Sequence, residues 1–448
     1  MHEILQRFLD EAPIAVMVRA TIARTVSNSA LDGIFDRHAG DQYTRELTFS
    51  TLTGLMSKVV FCIYPSVNAA YQRTNGIPVS ITSVYNKLNG LETSLTQGLV
   101  AETAASMAEI IASLPHSPAD EAVKGLRLRT LDGNSLAGTD HRLACLRGSG
   151  AAALPGLSLV VRDGRTGLLT NVVSCEDAYT NERALYQAIL ALVQANDLWL
   201  GDRNFCTANY LQGIASRDAY FLIRYHAGTA LHPLGQESHP CRNAEATISE
   251  QRVSIGMLQC RCIIVRLKKP LRDGTTEIRL LTNVPLERLS ARRAAELYRT
   301  RWRIESAFQE LTESLRCEIN TLGYPKAALF GFALAVVAYN VLVVTRAALA
   351  AGLGEEIGGE HALSSYHMAV EVASVDKGLS IAVPASAWEK FVAMTTSEFA
   401  AWLYEVARGI DWRSYRKCPR GPKKPVAVKR TRRGAHRSTA RELIKSQK

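Results

Sequence analysis

The pattern of apolar and polar positions divides the chain into a helical first part and a strand-rich second part. Residues 1–115 place apolar side chains at i, i+3 and i+4 spacing, as in Leu47–Tyr64 and Val84–Leu99, which predicts helices. Pro115 and Pro118 then interrupt the chain. Beyond them the period of the pattern shortens to two, which predicts strands.

The strand-rich part begins with three predicted strands, a helix and two further strands, and an acid follows the first and the fourth strand. Strand Leu126–Leu131 alternates Leu with Arg or Thr and ends at Asp132-Gly133. The short apolar run Leu198–Leu200 ends at Gly201-Asp202. The remaining predicted elements are the strands Leu157–Arg162, Gly167–Ser174 and Tyr220–Tyr225 and the helix Asn181–Gln194.

A β-rich segment of roughly 60 residues follows. Its predicted strands are Ala246–Ile255, Cys260–Leu267 and Glu277–Asn283. Cys260 and Cys262 form a Cys-x-Cys pair, but no second pair or His cluster lies at zinc spacing. Both cysteines are therefore interpreted as strand residues.

A long helix is predicted from Ala291 to about Leu315. At about 100° per residue, Tyr298, Arg301, Glu305 and Thr312 fall in a sector about 60° wide beside an apolar stripe. Taken alone, this pattern favours an amphipathic surface helix whose Arg and Glu pair at i, i+4 spacing. Basic residues also surround an aromatic side chain on this helix, an arrangement that suits nucleic-acid backbone and unstacked bases. They are Arg299, Arg301 and Arg303 around Trp302.

The apolar run Ala327–Val344 carries no charge over 18 residues, the lower limit for a membrane span. A helix buried in the core of a large domain is the favoured interpretation, because a lone span directly after a charged helix has no obvious purpose.

The charge of the chain is unevenly distributed. Residues 413–448 contain 14 Lys or Arg and one acid, Glu442, whereas the rest of the chain has a net charge of −2. A basic tail on a nearly neutral body suggests a polyanionic partner, and a solvated tail without a specific role is equally compatible with the composition. The nine cysteines form no framework and no secretory signal is visible, which favours a reduced cytoplasmic compartment.

Three carboxylates have a possible joint use in chemistry. Asp132 and Asp202 end two predicted strands, and Glu305 lies on a later helix. Mg²⁺ binds through a few carboxylates and keeps positions open for substrate phosphates. Two such ions about 3.5–4 Å apart can activate an attacking oxygen and stabilise a leaving oxygen in phosphoryl transfer.

The stretch YRTRWRIESAFQELTESL from Tyr298 resembles the Tyr-Arg-Glu-Lys signature of the insertion sequence four family of bacterial DDE transposases. Tyr298, Arg301 and Glu305 match the signature at its spacing, and Thr312 stands where the family has Lys. That Lys is associated with DNA phosphate contact, so the departure suggests weaker local binding or a substitute such as Arg316. The blocks LDGN with Asp132 and LGDRNF with Asp202 resemble the family's first and second acids.

The resemblance implies a DNA transposase that cleaves strands at transposon ends and transfers the resulting 3′-OH into target DNA. It implies that Asp132, Asp202 and Glu305 are catalytic and hold two Mg²⁺ or Mn²⁺ ions. Family members often form a hairpin intermediate with an extruded base, for which Tyr298 and Trp302 are candidate contacts. The expected partner is double-stranded DNA, bound by a homodimer in a synaptic complex, without a membrane and with a cytoplasmic, nucleoid-associated location. Candidate phosphate contacts are Arg203, Arg299, Arg301 and Arg303.

The expected fold class is α/β, with an RNase H-like mixed sheet flanked by helices and interrupted by a β-rich insertion. Two alternatives remain: a catalytically impaired transposase derivative that only binds DNA, and a non-transposing nuclease on the same fold. The expected regions are a helical DNA-binding region (1–118), the two parts of the catalytic core (119–225 and 286–350) around the insertion (226–285), a C-terminal helical region (351–412) and a basic, disordered tail (413–448).

Overall fold

The computed structural model describes most of the chain. The described residues are 3–115, 122–136, 138–242, 245–271, 273–357, 362–418 and 436–447.

The first part of the chain is helical, as predicted. Hydroxyl side chains cap several of these helices; Thr48 and Ser80, for example, accept hydrogen bonds from backbone N–H groups of the first turn. The predicted helix Val84–Leu99 is wrong in one respect, because the chain leaves the helical path around Gly90 and starts a new helix at Thr93. The helices are α1 (Glu3–Glu11), α2 (Pro13–Thr25), α3 (Asn28–His38), α4 (Phe49–Val60), α5 (Val67–Gln72), α6 (Ile81–Asn89) and α7 (Thr93–Ala112).

The middle of the chain forms strands close to the predicted positions. The predicted helix Asn181–Gln194 is shorter in the structure, where a 3₁₀ turn over Glu182–Leu185 leads into one short helix. The elements are β1 (Arg127–Ser135), β2 (Ala152–Leu154), β3 (Leu157–Asp163), β4 (Leu169–Cys175), α8 (Tyr186–Leu190), β5 (Asp197–Gly201), α9 (Ala208–Ala215), β6 (Tyr220–Arg224), β7 (His232–Pro233), β8 (Cys241–Arg242), β9 (Ala246–Ile255), β10 (Leu258–Leu267) and β11 (Glu277–Thr282).

These strands build one mixed sheet of ten strands within the described residues, in the order β4-β3-β1-β5-β6-β11-β10-β9-β7, with β8 also paired to β9. Strands β4, β3 and β1 are antiparallel neighbours, whereas β5 and β6 run parallel to β1. The strands of the β-rich segment extend this sheet through β11, which pairs with β6. The segment expected as an insertion therefore continues the sheet at one side.

Strand β1 is longer than predicted. The expectation that it ends at Asp132 is wrong, because Asp132, Gly133 and Asn134 continue the antiparallel pairing with β3. The Asp-Gly pair is a local turn signal, and the backbone hydrogen bonds offered by β3 override it. Asp132 thus lies on a strand paired on one side rather than at the tip of a turn.

Helices cover both faces of the sheet. Alternate residues of β1 and β3, such as Leu131 and Leu159, pack with α8 and α9 on one face. On the other face, Val160 of β3 faces the helical core, and Leu200 of β5 packs with a later helix. Burial on both faces explains why β5, with the sequence DLWLG, is buried throughout.

The last part of the chain is helical, and its first predicted helix is broken. The expected helix Ala291–Leu315 is interrupted at Thr300 and Arg301, where backbone N–H groups bond to carbonyls three residues back instead of four. The elements are α10 (Ala291–Arg299), α11 (Trp302–Ser314), α12 (Pro325–Leu353), α13 (Ser365–Ala382), α14 (Ser386–Ala393), α15 (Thr396–Arg408), β12 (His436–Ser438) and α16 (Thr439–Ser446).

Helix α12 is the core helix that the apolar run predicts. Among the described helices, it alone is long and apolar enough to cross a membrane, and its most apolar window is completely buried inside the protein. Buried Asn340 lies on this helix, and its side-chain amide accepts a hydrogen bond from the N–H of Leu169 and donates one to the carbonyl of Leu169, both at 2.8 Å. This pair of hydrogen bonds fixes α12 to the edge strand β4.

The N-terminal and C-terminal helices share one hydrophobic core with α12. Phe49 of α4, Phe330 of α12 and Phe399 of α15 all belong to it. The described helices of the expected regions 1–118 and 351–412 therefore pack together as one helical body.

Part of the basic tail is ordered, contrary to the expectation of disorder. Strand β12 pairs in parallel with β2, and Asp177 accepts hydrogen bonds from Ser438 at 2.6 Å and Arg441 at 2.7 Å. Residues 419–435, to which the same expectation applied, lie outside the described residues.

Candidate active site

Strands β1 and β5 bring two of the three predicted acids to the same edge of the sheet. The two strands are parallel neighbours, with Thr130 opposite Leu200. Asp132 and Asp202 each lie two residues beyond that pair, so both follow the point where the parallel pairing of the two strands ends. Asp202 accepts a hydrogen bond from the N–H of Asn204 at 2.7 Å and so caps the 3₁₀ turn Arg203–Phe205.

The guanidinium of Arg301 joins the third acid to the first. It donates to Asp132 Oδ2 at 2.9 Å and to Glu305 Oε1 at 2.6 Å. Arg301 is 9% exposed, so its guanidinium is largely shielded from water. The tightened backbone at Thr300 and Arg301 lies directly before Glu305, at the point where α11 approaches β1. The structure therefore brings Asp132 and Glu305 together, 173 positions apart in the chain.

The electrostatics of the site show that the acids influence one another. Burial raises the pKa of Asp132 to about 6, against the lowering effects of Arg301 and the Gly133 N–H, and the charges of Asp202 and Glu305 raise it further. Burial likewise raises the pKa of the Tyr298 phenol to about 12. The Tyr298 hydroxyl donates to the carbonyl of Gly201 at 3.3 Å, next to Asp202. A buried carboxylate beside two others requires positive charge nearby.

The donor set fits a hard divalent cation. Among the described residues, no three acidic, His or Cys side chains are already arranged around an ion position. The converging side chains are nevertheless all carboxylates, the ligands that Mg²⁺ and Mn²⁺ prefer. Arg301 supplies the positive charge between Asp132 and Glu305 in this structure. An ion bound there would take over part of that role.

A fourth acid, Glu182, lies beside this cluster and was missed by the sequence analysis. Its side chain accepts a hydrogen bond from Asn204 Nδ2 at 3.2 Å. Burial and the charge of Asp202 raise its pKa, and the Asn204 hydrogen bond opposes them. Gly133 leaves room for it, since a Cβ atom built there would lie 1.9 Å from Glu182 Oε1. No motif marks Glu182, which lies on the 3₁₀ turn Glu182–Leu185 and reaches Gly133 only in the folded chain.

We expect Gly133→Ala to lower the free energy of unfolding by about 1–3 kcal/mol, because the new methyl group must displace the half-buried Glu182 side chain. Urea unfolding of Gly133→Ala, Glu182→Ala and the double variant measures the coupling between the two positions. In the double variant most of the Gly133→Ala penalty should disappear.

Gly150→Ala is the matched control, because a Cβ atom there meets nothing within 4 Å. Equal losses for Gly133→Ala with and without Glu182 would contradict the contact.

The predicted DNA contacts lie in different surroundings. Trp302 is 62% exposed, and the Arg301 guanidinium lies 5.4 Å from the centre of its ring. Arg203 is exposed beside the site, and Arg299 forms an exposed ion pair with Glu245 at 2.8 Å. Arg303 is exposed on α11. Of the four predicted phosphate contacts, Arg301 is the one that hydrogen-bonds to Asp132 and Glu305 in this structure.

The departure from the signature Lys is also visible in the structure. Thr312 is exposed, and its hydroxyl bonds back to the carbonyl of Phe308 at 3.0 Å. Arg316, the possible substitute, donates to the carbonyl of Tyr64 at 2.9 Å. The Arg316 guanidinium therefore links the end of α11 to the N-terminal helices.

Comparison with known proteins yields one family. Residues 155–341, less than half of the chain, match the model of the transposase DDE domain. The matched range contains Asp202 and Glu305 and begins after Asp132. A search of proteins with curated functions finds no match.

Among solved structures, the chain is similar to the piggyBac transposase in a synaptic complex with hairpin DNA. The sequence identity is 9%, the TM-score is 0.35, and the alignment covers 86% of this chain and 75% of that chain. Such a loose superposition transfers no residue roles.

Proposed function

We propose that this protein is a DNA transposase of the DDE type, in which Asp132, Asp202 and Glu305 form the catalytic centre. The observation that carries the proposal is that Arg301 bonds to both Asp132 and Glu305, while Asp202 follows the strand next to the one that carries Asp132. The match of residues 155–341 to the transposase DDE domain supports it.

The proposed fold of the catalytic core is RNase H-like, and the strand order supports it. Strand β1 is central, with β3 and β4 antiparallel on one side and β5 and β6 parallel to it on the other. In this arrangement two strands deliver acids to the same edge and a helix that follows the sheet delivers the third.

The three carboxylates would hold two Mg²⁺ or Mn²⁺ ions, which supply charge neutralisation for an attacking and a leaving oxygen of a phosphodiester. Arg301 positions Asp132 and Glu305 relative to each other. The hydrogen bond from Tyr298 to Gly201 holds the backbone beside Asp202. Exposed Trp302 is available to stack on an unpaired base.

The proposed substrate is double-stranded DNA. Hydrolysis of one phosphodiester at an element's end frees a 3′-OH, and that hydroxyl then displaces an oxygen of a target phosphodiester, so that one bond forms and one breaks in a single step. Two copies of the chain would act together in a synaptic complex. The exposed Arg203 and Arg299 and the basic tail offer positive charge for the DNA backbone.

The test is strand cleavage of duplex DNA that carries the inverted repeats flanking the coding sequence. We expect cleavage with Mg²⁺, none with a chelator, and a rate lowered at least about a hundredfold in Glu305→Gln. Strand-transfer products distinguish a transposase from a nuclease that only cuts.

Glu313→Gln is the matched control, because Glu313 is exposed on the same helix and accepts a hydrogen bond from Gln309. Cleavage that survives the chelator, or that proceeds equally fast in Glu305→Gln, would refute the proposed centre.

A further inference from the structure

A buried arginine lies on the sheet, outside the acidic cluster. Arg162, on β3, is only 5% exposed. Within the described part of the chain, no carboxylate, carbonyl or hydroxyl accepts a hydrogen bond from its guanidinium. Withdrawing an unpaired charge from water is costly, so this guanidinium needs an anionic ligand.

Arg162 lines a cavity of about 210 Å³ between β3, α11 and α12. Arg303 of α11, Arg346 of α12 and Lys417 line the same cavity. The side chains of Arg303 and Lys417 are exposed or partly exposed and lie at the opening of the cavity, whereas buried Arg162 lies in its interior. Four cationic side chains from four separate segments thus surround one space.

The acid that lines this cavity, Glu310, is already engaged. One of its oxygens accepts from Lys417 at 3.0 Å, and the other accepts from Arg346 at 2.6 Å and Ser365 at 2.8 Å. Glu310 forms no hydrogen bond with Arg162. Among the described side chains that line the cavity, four are cationic and one is acidic.

We propose that this cavity is a binding site for a phosphate group, contributed by the DNA backbone. A guanidinium presents its N–H groups as a planar fork that matches phosphate oxygens, and charged donors from several directions suit a tetrahedral anion. The size of the cavity admits one phosphate group and excludes a base pair.

The site is distinct from the catalytic centre, although both use α11. Arg303 and Glu305 are two residues apart, about 200° around the helix, so they face opposite flanks. A backbone phosphate held at Arg162 would fix DNA against the flank of α11 that faces away from Asp132. The assignment to DNA rests on the proposed function, whereas the binding of phosphate does not.

The experiment compares three variants with the wild type in two binding measurements. Thermal unfolding is followed with inorganic phosphate against chloride at matched ionic strength, and duplex DNA binding is followed by fluorescence anisotropy over a series of salt concentrations. Arg162→Met removes the buried charge and retains an apolar chain of similar length, so the fold should survive. Arg303→Gln changes an exposed side chain, so this variant still tests the site if Arg162→Met fails to fold. Arg165→Met is the control, since Arg165 is exposed three residues away and does not line the cavity.

We expect phosphate to stabilise the wild type and Arg165→Met but not Arg162→Met. Arg162→Met and Arg303→Gln should weaken duplex binding about tenfold at low salt and reduce its salt dependence by about one unit of log–log slope.

Loss of phosphate stabilisation with unchanged duplex binding would assign the site to free phosphate and overturn its DNA role. No stabilisation of the wild type by phosphate, with equal duplex binding in all variants, would overturn the site itself. Neither measurement uses strand cleavage. A negative result for the phosphate site can therefore be distinguished from a negative result for the proposed transposase activity.

Discussion

Asp132→Asn is expected to slow strand cleavage at least about a thousandfold while leaving duplex binding nearly unchanged. The amide keeps the shape of the side chain but removes the negative charge that a divalent cation requires. Asp132 lies outside the residues that match the transposase DDE domain, so its role depends on the geometry at β1 and Arg301. Single-turnover cleavage and anisotropy with the same DNA measure the two effects.

Asp140→Asn is the comparison variant, because Asp140 is an exposed acid whose side chain pairs with nearby Arg142. Asp202→Asn should behave like Asp132→Asn. A variant at Asp132 that cleaves at a normal rate would remove this residue from the proposed centre, even if Asp202 and Glu305 proved essential.

Glu310→Gln is expected to lower the free energy of unfolding by about 3 kcal/mol at neutral pH. Although burial pushes the pKa of Glu310 upward, the charges of Arg346 and Lys417 dominate and lower it from 4.5 to about 2. Because the folded pKa lies below the unfolded one, this contribution is fully present above about pH 4.5 and is lost as the pH falls toward 2. Urea unfolding at a series of pH values measures it.

The difference in stability between the wild type and Glu310→Gln should therefore shrink on acidification. Glu313→Gln, one turn further along α11 and exposed, should change stability little at any pH. A difference that stays constant from neutral pH to pH 3 would mean that packing, rather than ion pairing, accounts for the effect of Glu310.

The strands were predictable because their signal is local. The mostly apolar stretch Leu157–Arg162 and the apolar run Leu198–Leu200 each reflect the burial of a single strand, and the structure has both within about a residue at each end. Strand β1 was predicted too short because its continuation through Gly133 depends on pairing with β3, which no local pattern contains.

The site was predictable only in part. The spacing of Tyr298, Arg301 and Glu305 predicted that all three lie on one helix. The backbone is tightened between Tyr298 and Arg301, so a uniform rotation of about 100° per residue gives wrong directions for their side chains. The burial of Arg301 between two acids and the approach of Glu182 to Gly133 are tertiary contacts. The order of β12 likewise depends on Asp177, which is distant in the chain.

The side chain of Asn340 has a consequence for how the molecule behaves at high concentration. Strand β4 is an outer strand of the large sheet, and such strands expose backbone groups that another polypeptide could pair with. At Leu169 both of these groups are already occupied by the Asn340 amide. A strand of another molecule could pair at this point only after the buried Asn340 amide had lost both hydrogen bonds to Leu169. We therefore expect this end of β4 to resist the strand pairing that leads to fibrils.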